Sequence, residues 1–239
     1  QRTGVFSCDT PVRLRDGCKW RIGRVFFCEN IAGFTQDESS NGNIELHEKL
    51  HAALDDYSPL SVRVRYRRHN ENWKAIALNY HYMRRRYYNE PFIIQVNAYS
   101  YGAGHGLTRL AKQLQRYNIK VNIANICDGV YYHWHPLGWW RALIGNSRIK
   151  LPNNVEKFHA FYQRKNTPHG RPLDYNPAMT QALSWTELFV EHEWMDDDLE
   201  WHNHCIAVAK EYAKKGVVSK QHIPANAPKT AATEMRQNH

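Results

Sequence analysis

One stretch constrains this chain more than any other: residues 92–114, FIIQVNAYSYGAGHGLTRLAKQL. It opens with Phe92, Ile93, Ile94 and Val96, a short apolar run whose β-branched residues predict a buried strand. It closes with Leu107, Leu110, Ala111 and Leu114, spaced i, i+3, i+4, i+7 as on the buried face of a helix. Between them stand Ala98, Tyr99, Ser100, Tyr101, Gly102, Ala103 and Gly104. The segment therefore reads as a strand, a tight turn carrying a serine among small residues, and a helix. A serine raised on such a turn needs small residues two positions before and after it, because neighbouring backbone passes close by. Ala98 and Gly102 occupy those positions. The turn also aims the N–H of the next residue, Tyr101, and the positive end of the new helix at any oxyanion formed on an attacked carbonyl.

Two other readings of the same residues stand beside this one. A serine between alanine and glycine is common in ordinary loops. Gly102, Gly104 and Gly106 after a strand also suggest a dinucleotide-binding turn, with Asp128 as the ribose acid. The spacing is G-x-G-x-G rather than G-x-G-x-x-G, and residues 97–101 separate the apolar run from the first glycine, which disfavours the nucleotide reading.

The remaining elements alternate. Residues 24–28 (RVFFC) read as a buried strand, followed by a glycine-containing loop through Ala32, Gly33 and Phe34. Residues 44–54 carry Ile44, Leu46, Leu50, Ala53 and Leu54 at largely helical spacing, and residues 61–66 (SVRVRY) alternate as a strand near a sheet edge. Residues 71–88 predict a helix from Trp73, Ile76, Ala77, Tyr80 and Met83, with arginines in its last turns, where the dipole favours them. Residues 119–127 (IKVNIANIC) give the strand after the serine turn and end in Asp128-Gly129. Residues 144–181 read as polar loop with a short apolar patch at Phe158, Phe161 and Tyr162; residues 185–190 read as the last strand, and residues 199–214 as the last helix. This β, α, β, α, β, α, β order predicts an α/β fold, a three-layer α/β/α sandwich with a mostly parallel central sheet. The expected organisation is one domain over residues 1–218 and a polar tail over residues 219–239.

At 239 residues and 42% hydrophobic, the chain is long enough for one sizeable core. No run approaches the roughly 18–20 apolar residues of a bilayer span, and no charged-then-apolar leader is visible. The first residue is Gln rather than Met, so compartment is left open. Five cysteines (Cys8, Cys18, Cys28, Cys127, Cys205) without C-x-x-C spacing argue against a structural zinc site and a disulfide framework, although a Cys8–Cys18 pair is compatible with the spacing. The net charge of +9 gathers partly at residues 63–68 and 84–86. A solvated basic face, or one attracted to an anionic surface or protein partner, is preferred over nucleic-acid binding.

Taken with the serine turn, this order resembles the α/β-hydrolase fold, over about residues 24–214. The turn is similar to its nucleophile elbow, G-x-S-x-G, with Ala98 in place of the first glycine. The family is the lipase- and esterase-like serine hydrolases, and the resemblance identifies no subfamily. It implies a catalytic Ser100, Asp128 and His192, in the chain order Ser, Asp, His, with His192 lying between the last strand and the last helix. It implies oxyanion donors from the N–H of Tyr101 and from one of Ala32, Gly33 or Phe34. Alternative bases are His105, His159 and His169. A metal alternative groups His192 with Asp196, Asp198, His202 and His204, but the i, i+2 spacing of the last two puts them on different helix faces.

The aromatic segment after Asp128 supplies Tyr131, Trp134, Trp139 and Trp140 as an expected wall of an apolar substrate pocket, within a lid or pocket region of about residues 130–181; ordinary core packing is the other reading. The expected substrate is a small-molecule or lipid-like ester, or a thioester, with no cofactor and no metal. The rival function is a catalytically silent protein of the same fold that binds partners through its basic surface.

Overall fold

The structure is a computed structural model that describes residues 25–33, 42–57, 62–86, 91–130 and 148–214. All of these fall within one compact unit, residues 22–217. The aromatic pocket residues Tyr131, Trp134, Trp139 and Trp140, together with Phe34, Cys8, Cys18 and the tail over residues 219–239, lie outside the described residues.

The apolar run VFFCENI is buried at all seven positions as strand β1 (Val25–Ile31), which fits a strand covered on both faces. Helix α1 (Gly42–Ala53) leads to β2 (Val62–Arg67), whose alternating VRVRYR pattern places it at the sheet edge. Helix α2 (Trp73–Arg86) buries Trp73, Ala77, Tyr80 and Met83, one per turn, and begins where the Asn72 side chain accepts the N–H of Ala75 at 3.1 Å. Strand β3 (Phe92–Tyr99) runs into Ser100, and a single π-helical segment (Gly102–Leu107) continues directly into α3 (Thr108–Gln115). Strand β4 (Ile123–Cys127) is fully buried.

Beyond it come the short β5 (Ile149–Lys150), then β6 (Lys157–Tyr162), the short β7 (Leu173–Asp174) and β8 (Gln181–Glu187). Helix α4 (Leu199–Lys214) ends the described chain, and Asp198 Oδ1 caps it by accepting the N–H groups of Glu200 and Trp201 at 2.8 and 3.2 Å.

Among the described residues, six strands form one sheet in the order β2-β1-β3-β4-β6-β8, and every neighbouring pair is parallel. Helices α2 and α3 cover one face over Phe27, Ile31, Ile94 and Leu110. Helices α1 and α4 cover the other over Phe26, Cys28, Leu46 and Leu50. The architecture is the three-layer α/β/α sandwich with a parallel central sheet that the alternation of elements predicts. No helix among the described residues is long and apolar enough to cross a membrane.

Two sequence expectations are corrected. Residues 144–181 are not uniformly loop: the apolar patch is β6, a full member of the sheet between β4 and β8, and β5 and β7 pair as a second, two-stranded sheet. β6 and β8 are out of step at Phe158/His159, where an extra residue of β8, Leu183, shifts the register. The last strand is Gln181–Glu187 rather than residues 185–190, and Phe189 stands 86% exposed beyond its end.

The strand order also locates a crevice. From β1 the chain crosses to β2 on one side; from β3 it crosses to β4 on the other. Ligands in open parallel sheets bind at such a reversal, beyond the C-terminal strand ends. Ala32 and Gly33 leave β1 there, and Ser100 leaves β3.

Candidate active site

Ser100 follows the last residue of β3 and sits at φ 51°, a left-handed conformation that costs a non-glycine residue about 1–3 kcal/mol. The surroundings enforce it. A Cβ on Gly102 would lie 2.4 Å from the Ala32 carbonyl oxygen and 2.5 Å from that of Ile31. Only glycine lets the new helix start this close to the β1 exit. A Cβ on Gly33 would fall 3.2 Å from the Ser100 Cβ, so the β1 exit runs within touching distance of the serine. The Ser100 carbonyl accepts the N–H of Val130 at 2.9 Å, tying the turn to the exit of β4.

The three residues far apart in sequence meet here. Ser100 Oγ lies 2.9 Å from His192 Nε2, and His192 Nδ1 lies 2.5 Å from Asp128 Oδ2. The carboxylate can only accept, so Nδ1 carries the proton and Nε2 is left to accept from the serine hydroxyl. Asp128 is 1% exposed, and Gly170 N–H donates to its Oδ1 at 2.7 Å. Gln163 adds its N–H to Oδ1 at 3.4 Å and its Nε2 to Oδ2 at 3.2 Å. A Cβ on Gly170 would lie 2.3 Å from Asp128 Oδ1, so that position too requires glycine.

His192 opens a short 3-10 turn (His192–Trp194) after β8 and is held from three directions. Its N–H donates to Asn166 Oδ1 at 2.8 Å, its carbonyl accepts the Tyr99 hydroxyl at 2.5 Å, and its ring stacks on the Tyr99 ring at 5.3 Å. Burial, with Asp196 nearby, pushes the Tyr99 phenol well up, so it stays a donor.

The other candidate bases are engaged elsewhere. His105 Nδ1 pairs with the Tyr101 hydroxyl at 3.2 Å, and burial, then Arg109 and His69, pushes it down to about 4. His159 Nδ1 pairs with Ser184 Oγ at 2.7 Å. His169 lines a cavity of about 670 Å³ whose described walls include Asp128, Phe161, Leu173 and Trp185, but neither Ser100 nor His192.

The metal grouping does not assemble. His202 turns to the Asp196 carbonyl and Lys49, while His204 packs on His159 and Phe161. No group of three or more His, Cys, Asp or Glu among the described residues has metal-holding geometry. Cys28, Cys127 and Cys205 are buried free thiols, their pKa values raised chiefly by burial.

Tyr101, 6% exposed, follows the serine in the first turn of the helix. On the β1 exit the N–H of Ala32 is taken by the Arg67 carbonyl at 3.0 Å, which removes Ala32 as the expected second donor; Gly33 is the described residue of that exit beside Ser100. The sequence reading missed Tyr99, Gln163, Asn166 and Gly170. None carries a local motif: Gln163, Asn166 and Gly170 act because the loop after β6 folds back onto Asp128 and His192, and Tyr99 because His192 is brought onto its ring.

No protein-family model matches the chain, and no curated protein sequence matches it. Two solved structures of RedJ are similar to it at a distance. One, with a polyethylene glycol molecule bound in its active site, covers 86% of this chain and 98% of its own at 12% identity and a TM-score of 0.42. The other, described as the RedJ thioesterase of the prodiginine biosynthetic pathway in Streptomyces coelicolor, covers 88% and 99% at the same identity and TM-score. At that distance the functional reading stands on the residues of the site alone.

Proposed function

We propose that this chain is a serine hydrolase that cleaves a carboxylic ester or thioester of apolar character through Ser100, His192 and Asp128. The observation that carries the reading is the continuous relay from Ser100 Oγ to His192 Nε2 and from His192 Nδ1 to Asp128, built on a serine held at positive φ.

In the first half-reaction Ser100 Oγ bonds to the substrate carbonyl carbon while its proton passes to His192 Nε2. The carbonyl oxygen becomes an oxyanion, which the N–H of Tyr101 and a second N–H from Gly33 or Phe34 stabilise. The C–O or C–S bond then breaks, and His192 gives its proton to the leaving alcohol or thiol. Water repeats the sequence on the acyl-enzyme, releasing the acid and restoring the serine. Asp128 stays ionised, orienting the imidazole and stabilising the imidazolium. Exposed Phe189 and Trp194 flank His192 in sequence and favour an apolar substrate, as does the aromatic segment that contains Tyr131, Trp134, Trp139 and Trp140.

The test is intact mass after treatment with a fluorophosphonate. One adduct per chain is expected on the wild type and none on Ser100→Ala. A wild type that takes no label, under conditions that modify a control hydrolase, removes the enzymatic reading and leaves a binding protein with a basic face.

A further inference from the structure

The turn between β2 and α2 reaches the candidate site from a direction the triad does not use. His69 lies in that turn, two residues past the end of β2, and is half-buried. Its Nδ1 is 3.1 Å from the carbonyl oxygen of Gly33 on the β1 exit. A carbonyl only accepts, so Nδ1 carries the hydrogen and donates. The ring also packs edge-on against Tyr101, with centroids 5.2 Å apart. The Tyr101 ring also stacks on the His105 ring at 4.8 Å.

The turn is itself anchored: Trp73 Nε1 donates to the His69 carbonyl at 3.3 Å, and Ala32 N–H donates to the Arg67 carbonyl at 3.0 Å. One imidazole thus bonds the backbone of one stretch that would face an oxyanion and packs on the side chain of the other. The first is the strand exit 3.2 Å from the Ser100 Cβ, measured from the place a Gly33 Cβ would take; the second is the residue following Ser100.

We propose that His69 is a positioning residue for the oxyanion-binding backbone. A hydrogen bond to the Gly33 carbonyl restrains the backbone of Gly33, whose own N–H is a candidate second donor. Gly33 has no side chain to restrain its own backbone, so the restraint has to come from a neighbour. The ring edge against Tyr101 holds the first donor residue by packing. His69 touches no reacting atom. It acts on the transition state because donors must be aimed, before reaction, at where the negative charge develops. The proposal rests on the serine-hydrolase reading above.

The experiment uses the full chain and three substitutions. His69→Ala removes both the hydrogen bond and the ring. His69→Phe keeps a ring against Tyr101 but has no donor. His69→Asn places an amide N–H close to where Nδ1–H was. Each is assayed for kcat and KM on a p-nitrophenyl ester, for the rate constant of fluorophosphonate labelling at Ser100, and for thermal melting.

The expected result is a kcat about 10- to 100-fold lower for Ala and for Phe, with KM within about twofold and a parallel fall in labelling rate. Asn restores most of the kcat. A merely structural role would instead track melting temperature and would not sort Phe with Ala against Asn. Wild-type kcat in the Ala and Phe variants overturns the proposal, as does an Asn variant as slow as Ala at equal melting temperature. A wild type that neither labels nor turns over ester overturns the hydrolase reading, and this proposal with it. An active wild type with indifferent His69 variants overturns the proposal alone.

Discussion

At the scale of single residues, the site depends on which oxygen of Asp128 does what. Oδ1 takes the N–H groups of Gly170 and Gln163, while Oδ2 faces His192 Nδ1 and Gln163 Nε2. In Asp128→Asn the amide oxygen keeps the two backbone donors, so the NH2 group turns towards His192. It then donates to Nδ1, which drives the ring proton onto Nε2, where it blocks the serine. The expected outcome is a kcat roughly 10⁴-fold lower on the same ester with little change in melting temperature. Activity within tenfold of wild type would show that Asp128 does not set the tautomer. Ser100, Asp128 and His192 were each legible in the sequence because each follows a recognisable strand or precedes a recognisable helix. Gln163, Asn166 and Tyr99 were not. Glutamine, asparagine and tyrosine occur in every kind of loop and strand, and what they bond to is decided by chain 26 to 93 residues away.

Among the elements, β1 shows how a buried charge fixes a position. Its Glu29 is fully buried and accepts Arg67 Nε from β2 at 2.7 Å and the Tyr80 hydroxyl from α2. Arg65 stands 4.0 Å away, and its guanidinium also lies over the Phe27 and Tyr80 rings. One carboxylate thus pins three elements two residues before the end of β1, whose exit reaches the candidate oxyanion site. Glu29→Ala leaves Arg67 half-buried without its carboxylate and Tyr80 without its acceptor. A loss of about 3–5 kcal/mol is expected in denaturant unfolding, the range found when one member of a buried pair is removed. A change below 1 kcal/mol would mean that the pair is no more than a surface ion pair in its effect. Pattern reading served the elements with a single clear period: α2, α4, β1 and β3 lie within a few residues of where periodicity predicts them. It failed on β6, whose buried Phe158, Ala160 and Phe161 lie within an otherwise polar stretch, and on β5 and β7, which are two residues long and exist only as partners of one another.

For the molecule as a whole, two half-buried imidazoles set a direction for stability against pH. His105 and His204 are both pushed from 6.5 down to about 4, chiefly by burial, with Arg109 and His69 adding to the first and His159 to the second. Their folded pKa values lie below the unfolded ones, so the unfolded chain takes up protons first. Stability from these groups is full above about pH 6.5 and is lost as the pH falls from there towards about 4. His159 and His202 are shifted the same way, mainly by burial. Melting temperature should therefore fall between pH 7 and 4.5, and fall less in a His105→Phe, His204→Phe double variant; an unchanged slope there would assign the effect to other groups.

By itself the sequence determined the layer architecture, since alternating strand and helix periods leave little but a parallel sheet covered on both faces. It also determined the serine turn, because small residues at 98 and 102 are a local steric requirement. Only the tertiary structure decided the sheet order, and with it which strand ends face one crevice. It also decided what the polar residues inside strands do. Asn30, Asn97 and Asn125 look like solvent-facing positions, yet they align in register across β1, β3 and β4 and bond to one another at 2.7 Å within the core. Hydrophobic periodicity records which side of an element is buried. A hydrogen bond between residues tens of positions apart leaves no period to read, because it exists only once the chain has brought them together.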